Sequence, residues 1–383
     1  MVIRNNGRRS KLMTVLTVIV LLYIFICGIK LMGQGCKAMK EHAFAEKLIR
    51  SADNPFVGLF VGILITSVIQ SSSATTSIVV GLVAVNVLSV RCAIPIVMGA
   101  NIGTTVTNTL VSMGYVMRRA EFRRAISGAI VHDIFNVFVV LILLPLELIF
   151  RFLERGATWL TGLLPQISAE EAGQIDVKAF NPLGPIINPM LRLVESVVGE
   201  PEGPGWVAAV TIVVGLVFIL FALLRLVKVL RGMMLGRAET FITRVLGKSG
   251  WLGILIGFLV TAMVQSSSIT TSVMVPMAAA GIVTVAQIFP ITIGANIGTT
   301  MTALVAAVAA GGAGVTIALV HCLFNILGML LFYPIPALRL LPVRVAEKVG
   351  ELAARSRRLA LVWVFCLFYG VPGLLIYLYR LLS

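Results

Sequence analysis

The chain has 383 residues, of which 58% are hydrophobic and only 12% charged, with a mean hydropathy of +1.02. One soluble core could not bury that much apolar surface, so a soluble enzyme, a secreted disulfide scaffold and a disordered chain are excluded, and an all-α polytopic membrane protein is expected. The net charge of +15 would suggest nucleic-acid binding in a soluble protein, but here it falls in four separate segments and predicts topology instead.

Residues 1–11, 116–124, 225–248 and 339–358 carry +4, +3, +5 and +4, and the positive-inside rule assigns all four to the cytoplasm. Residues 151–205 hold four basic and seven acidic side chains and are placed outside. The N-terminus is cytoplasmic on this reading. Its apolar run is followed by Lys30 without a small-residue cleavage site, which favours a retained span over a signal peptide.

Leu12–Ile29 is the first expected span. Pro55–Val90 is uncharged but broken by Gln70, Ser71, Ser72 and Ser73, and must return to the side on which it began. Cys92–Met117 runs inward and Ala125–Leu146 outward. After the external segment Pro204–Leu224 enters, Ser249–Ala286 is a second broken pair, Phe289–Ala310 leaves, Val315–Pro334 returns and Leu359–Tyr379 crosses last. The five cysteines (Cys27, Cys36, Cys92, Cys322, Cys366) have no metal-ligand spacing and predict no cofactor.

The two halves are copies. Gln70–Thr107 set on Gln265–Thr302 at a constant offset of 195 gives 20 identities in 38 positions, and HDIFN at 132–136 matches HCLFN at 321–325. The charge pattern sends the first copy in from outside and the second from inside, the pattern of two inverted-topology repeats. Residues 1–150 form the first repeat with a re-entrant hairpin at 55–90, and 151–205 form an external connector. Residues 206–338 form the second repeat with its hairpin at 249–286, and 339–383 hold a cytoplasmic segment and the final transmembrane helix.

Gln-Ser-Ser-Ser inside an apolar segment is costly unless each polar group finds a partner. Hydroxyls, the Gln amide and the N–H groups opening a half-helix are neutral donors that converge on an anion. Gln70, Ser71, Ser72, Ser73, Gln265, Ser266, Ser267 and Ser268 are therefore candidate anion ligands. The same motifs, with the hydroxyls of Thr75, Thr76, Thr270 and Thr271, offer oxygens to a hard cation such as sodium. Close packing of small residues is the alternative explanation. The GANIGTT segments add Asn101 and Asn296 as candidate donors, a short way beyond Pro95 and Pro290. Asp133, beside His132, is the one carboxylate well inside an expected span, and its counterpart is Cys322, so an ion site using it exists in one copy. A solvated carboxylate near Arg123 and Arg124 is the competing reading; His132 and His321 are expected as neutral core histidines.

At both QSSS motifs, both GANIGTT segments, EFRRAISGAIVHDIFN (121–136) and LFYPIPALRLLPVRVAEKVG (331–350), the sequence resembles the type II sodium-dependent phosphate cotransporters. The resemblance implies symport of inorganic phosphate with sodium by alternating access in the plasma membrane, the inner membrane of a bacterium. It also implies that the QSSS tips meet at the substrate. It gives Thr104, Thr105, Thr299, Thr300, Gln265, Ser266 and Asp133 as sodium-site candidates, with sodium the coupling ion and no cofactor. The implied partners are phosphate, sodium and the bilayer, with a homodimer as candidate assembly and no nucleic acid. The external segment is short and cysteine-free, unlike the larger disulfide-bridged loop of animal members. Members that move net charge have an Asp at the position of Asp133; the nearby Ser127 and Ala129 mix the features of the two classes.

Two other classes compete. A serine hydrolase built on His132 and Asp133 fails geometrically, because adjacent helical residues point about 100° apart. An anion channel would lack sodium-dependent, saturable uptake. Within carriers, the alternative is another oxyanion or phosphate export.

Overall fold

In a computed structural model the described residues are 3–39, 54–104, 106–163, 184–201, 205–222, 249–310, 312–356 and 365–382, with the single positions 225, 229 and 362. Most of the expected basic segment 225–248, much of the connector and most of the start of the last span lie outside them, as does the sodium-site candidate Thr105.

Every described element is helical. In chain order they are α1 (Ile3–Met39), α2 (Pro55–Ile69), α3 (Ser72–Ala84), α4 (Val90–Gly103), α5 (Val106–Met113), α6 (Arg119–Phe150), α7 (Phe152–Leu163) and α8 (Gly184–Val198). Then follow α9 (Gly205–Ala222), α10 (Gly250–Val264), α11 (Ser267–Ser272), α12 (Met274–Ala279), α13 (Val285–Ala310), α14 (Ala313–Phe332), α15 (Pro336–Arg355) and, after a wide turn at Cys366–Gly370, α16 (Val371–Leu382).

Among the described residues five stretches are long and apolar enough to cross a bilayer: Val90–Met113, Arg119–Phe150, Gly205–Ala222, Val285–Val308 and Ala313–Phe332. The arms of the two broken segments are not. α2 has 15 residues and α3 has 13, about 22 and 20 Å of helix, against a hydrocarbon core of about 30 Å. α10 likewise has 15 residues, and its partner arm is interrupted at Val273, just before Pro276.

Local sequence explains how the arms begin and end. Asn54 caps α2 by accepting from Phe56 N at 2.9 Å, with Pro55 in the first turn where its missing N–H costs nothing. Gln70 ends α2 in the left-handed region at φ 57°, and Gln265 ends α10 at φ 55°.

α2 lies against α4, and α10 against α13, at backbone contact. A Cβ on Gly62 would sit 2.1 Å from Ile96 O, and one on Gly99 2.0 Å from Leu59 O. The counterparts, 195 residues on, are Gly257 at 2.1 Å from Ile291 O and Gly294 at 1.9 Å from Ile254 O. Only glycine allows helices so close. The duplicated glycines thus build the same packed helix pair twice.

α15, read from sequence as a charged segment, is an amphipathic helix. Pro342, Val343, Ala346, Gly350 and Ala353 recur at helical spacing and are buried. They turn toward α6, where Gly350 packs on Ser127 and Arg123 O. α7 and α8 show that the connector also contains helix.

Candidate functional site

Each Gln-Ser-Ser-Ser motif is the turn between two short helices. The left-handed Gln70 lets Ser71 open α3 as its cap, with Ser71 Oγ accepting from Ala74 N at 3.2 Å. In the second copy Ser266 Oγ accepts from Ile269 N at 3.4 Å. Each turn is tied across its mouth: Thr66 donates to Thr75 at 2.9 Å and Thr261 to Thr270 at 2.8 Å. Gln70 N meets Thr66 O, and Gln265 N meets Thr261 O, both at 2.6 Å.

With the caps assigned, the N–H groups of Ser72 and Ser73, and of Ser267 and Ser268, are first-turn donors without an acceptor in their own helix. The side chains of these four serines are buried, while Ser71 and Ser266 are half-buried, Gln265 is half-buried and Gln70 exposed. Each turn therefore offers amides, hydroxyls and the positive end of a helix dipole at a break inside apolar surroundings. The two turns pack crosswise: α3 lies on α13 of the second half, and α11 on α5 of the first. Among the described residues no hydrogen bond joins one QSSS turn directly to the other.

Asn101 and Asn296 stand elsewhere. Asn101 Nδ2 donates to Val97 O at 2.9 Å, and its Oδ1 accepts from His321 Nε2 at 3.3 Å and Asn325 Nδ2 at 3.4 Å. Asn296 Nδ2 donates to Asn136 Oδ1 at 2.8 Å, and Asn136 Nδ2 reaches Asn101 O at 3.1 Å and His132 Nδ1 at 3.2 Å. Each asparagine of one half is thus bonded by the other half's copy of the HDIFN or HCLFN segment. Because Asn101 Oδ1 only accepts, His321 carries its proton on Nε2; because Asn136 Nδ2 only donates, His132 Nδ1 is bare. Both rings are buried and hydrogen-bonded. This buried knot engages both ends of the Asn101 amide and the Nδ2 of Asn296 with side chains and backbone of neighbouring helices.

Thr104, Thr299 and Thr300 are buried and donate to their own helices, to Ala100 O at 3.0 Å, Ala295 O at 2.9 Å and Ile297 O at 2.7 Å. Such hydroxyls keep oxygen lone pairs free to face a cation. Asp133 is 2% exposed and lies 3.8 Å from His132 Nδ1. The arginines of the competing reading are engaged: Arg123 pairs with exposed Glu351 at 3.4 Å, and Arg124 Nε donates to Ala279 O at 2.9 Å, capping the end of α12. Among the described residues no group of three or more His, Cys, Asp or Glu gathers as a metal site.

Asn136, Asn325 and Asn108 were not singled out by the sequence. The first two sit at the same place in HDIFN and HCLFN, a signal that was available; Asn108 breaks the repeat and gave none.

A helical multi-pass membrane protein with one polar turn built twice is the class these features define. The chain belongs to the Na+/Pi-cotransporter family, whose model matches residues 24–157 and 217–339. It is 32% identical over 437 residues to sodium-dependent phosphate transport protein 2B of Homo sapiens, covering 92% of this chain and 63% of the relative. To protein 2A of Rattus norvegicus it is 31% identical over 432 residues, covering 95% of this chain and 67% of the relative. The chain thus spans about 63% of the length of the 2B relatives it matches. No solved structure matches it significantly.

Proposed function

We propose that the protein is a sodium-coupled symporter of inorganic phosphate in the plasma membrane, with N-terminus cytoplasmic, working by alternating access. The observation that carries this is the duplicated turn: the same cap, the same cross-turn threonine bond and the same free first-turn amides at Gln70–Ser73 and Gln265–Ser268, in a member of the Na+/Pi-cotransporter family. The short arms, about 20 Å each, support two re-entrant hairpins, since neither arm reaches across a bilayer by itself. The charge asymmetry and the contacts recurring at an offset of 195 support repeats of inverted topology.

On this reading a phosphate is bound by neutral donors. The N–H groups and hydroxyls of Ser72, Ser73, Ser267 and Ser268 point to its oxygens, and the two Gln side chains close the mouths. Two helix dipoles supply favourable charge without a lysine. Sodium ions are bound by hydroxyl and carbonyl oxygens around Gln265, Ser266, Thr104, Thr299 and Thr300, with Asp133 serving one of them. The anion and cations lower each other's desolvation cost, which couples their movement.

The test is uptake of labelled phosphate into proteoliposomes with and without an inward sodium gradient, with sulfate as competitor. Sodium-driven, saturable, sulfate-insensitive uptake is expected. Uptake blocked by sulfate would point to another oxyanion, sodium-independent leak to a channel, and efflux alone to an exporter; each would overturn the reading.

A further inference from the structure

We propose that Asn108 is a positioning residue for the second Gln-Ser-Ser-Ser turn, and that the first turn has no equivalent hold. The proposal rests on the reading of that turn as part of the transport site. Asn108, on α5, is 1% exposed and reaches from the first half into the second. Its Nδ2 donates to Thr271 Oγ1 at 2.7 Å, and its Oδ1 accepts from Ser272 Oγ at 2.9 Å. Thr271 Oγ1 donates in turn to the motif itself, to Ser267 O at 2.8 Å, and Ser268 O is a second acceptor within reach of the one proton of Ser272 Oγ. One amide therefore holds the backbone of Ser267 through Thr271 and fastens the side chain of Ser272 on the same helix.

The opposite side lacks this grip. At an offset of 195 the counterpart of Asn108 is Ala303, and the counterparts of Thr271 and Ser272 are Thr76 and Ser77. Thr76 and Ser77 are fully buried, and among the described residues neither hydroxyl has a hydrogen-bond partner. The difference stands against a repeated frame, since the glycine contacts of α2 with α4 and of α10 with α13 agree between the halves to within about 0.2 Å. In a cycle that exchanges the conformations of two repeats, a bond encoded on one side only cannot be remade on the other. The second turn is held as a preformed half-site, and the first is left freer to rearrange.

The experiment compares wild type, Asn108→Ala, Ser272→Ala and the double variant in lipid nanodiscs and proteoliposomes. Amide hydrogen exchange is followed over residues 267–272 and 72–77, and the phosphate concentration giving half-maximal sodium-driven uptake is measured. Asn108→Ala is expected to speed exchange in 267–272 by about tenfold, the loss of one or two buried hydrogen bonds, and to leave 72–77 unchanged. Half-saturation should rise by about tenfold with the maximal rate kept within about twofold, and the double variant should be no worse than Asn108→Ala. Should Asn108→Ala fail to fold, Ser272→Ala and Thr271→Val carry the same comparison. Equal loosening of both turns, no loosening, or loosening without a change in half-saturation would overturn the proposal. If wild type itself takes up no phosphate, the transport reading has failed, and exchange alone then decides whether the hold exists.

Discussion

Thr66 donates its hydroxyl to Thr75 at 2.9 Å, joining two helices across the turn made by Gln70. The bond ties a residue of the last turn of α2 to one in the first turn of α3, so the mouth of the break is fixed even though the chain reverses its hydrogen bonding there. Thr261 and Thr270 repeat it at 2.8 Å. Both threonines are buried in each pair, where a hydroxyl bond made in place of water stabilises by about 0.5 to 1.5 kcal/mol and an unmade one costs more. The bond thus holds the two arms together at the mouth of each turn, and the free donors belong to Ser72, Ser73, Ser267 and Ser268.

The first prediction concerns that scaffold's supports. Gly62→Ala or Gly257→Ala would put a methyl 2.1 Å from a backbone carbonyl, so the helices must separate. A loss of about 1 to 3 kcal/mol is expected, seen as a lower melting temperature of the detergent-solubilised protein by fluorescence-detected gel filtration. Gly162→Ala, where a Cβ meets nothing within 4 Å, is the control and should be neutral or slightly stabilising. A melting temperature for Gly62→Ala equal to that control would mean the helices are not in backbone contact.

The second separates cap from ligand. Ser71→Ala removes a helix cap and should lower stability by about 1 kcal/mol. Ser72→Ala and Ser267→Ala remove no cap and should leave the melting temperature near wild type. Each should instead weaken apparent phosphate affinity by about 1.5 to 3 kcal/mol, the usual size for a hydrogen bond to a charged group. Unchanged half-saturation in both serine variants would remove the turns from the substrate site.

Much of this was legible in the sequence, for a physical reason. A charge-free run of apolar residues has few choices besides a membrane helix, and a Gln-Ser-Ser-Ser break within it has to be a turn with a use for its polar groups. The glycine contacts and cross-turn bonds recur at the sequence offset of 195, so the duplication carried geometry as well as composition. What the sequence left open was the destination of side chains that could reach several partners. Asn101 offers its amide equally to an anion or to another helix, and the helix partners of its Oδ1, His321 and Asn325, lie more than 200 residues away. Asn108 is a residue where the repeat fails, and comparing the two copies passes over it. In α15 the charged residues mask a buried stripe of Val343, Ala346 and Gly350.

The third prediction is topological. Cysteines replacing exposed Arg155 and Lys348, in a background freed of the five native cysteines, should react with an impermeant maleimide from opposite faces of the membrane. Arg155 lies in the segment of net negative charge and Lys348 in a segment of net +4, which motivates the assignment. Labelling of both from one side would remove the inverted relation between the repeats.

The last prediction concerns Asp133. The residue lies on α6, nine residues and about 14 Å along the helix from Arg124, whose guanidinium is spent on the carbonyls of Ala278 and Ala279. Arg123 is likewise turned to Glu351. A carboxylate so deeply buried stays ionised only with compensation from a cation or from a dense set of donors. If sodium supplies it, the charge travels with the cycle, and no second copy exists because the repeat has Cys322 at the matching place. Asp133→Gly should keep sodium-driven phosphate uptake but move less charge: a lower sodium-to-phosphate ratio and a smaller or absent current, recorded together in voltage-clamped membranes under matched sodium gradients. Equal charge per phosphate in variant and wild type would show that Asp133 binds no transported ion. A variant that lost uptake and folding together would instead make Asp133 structural, so its melting temperature is recorded beside the current.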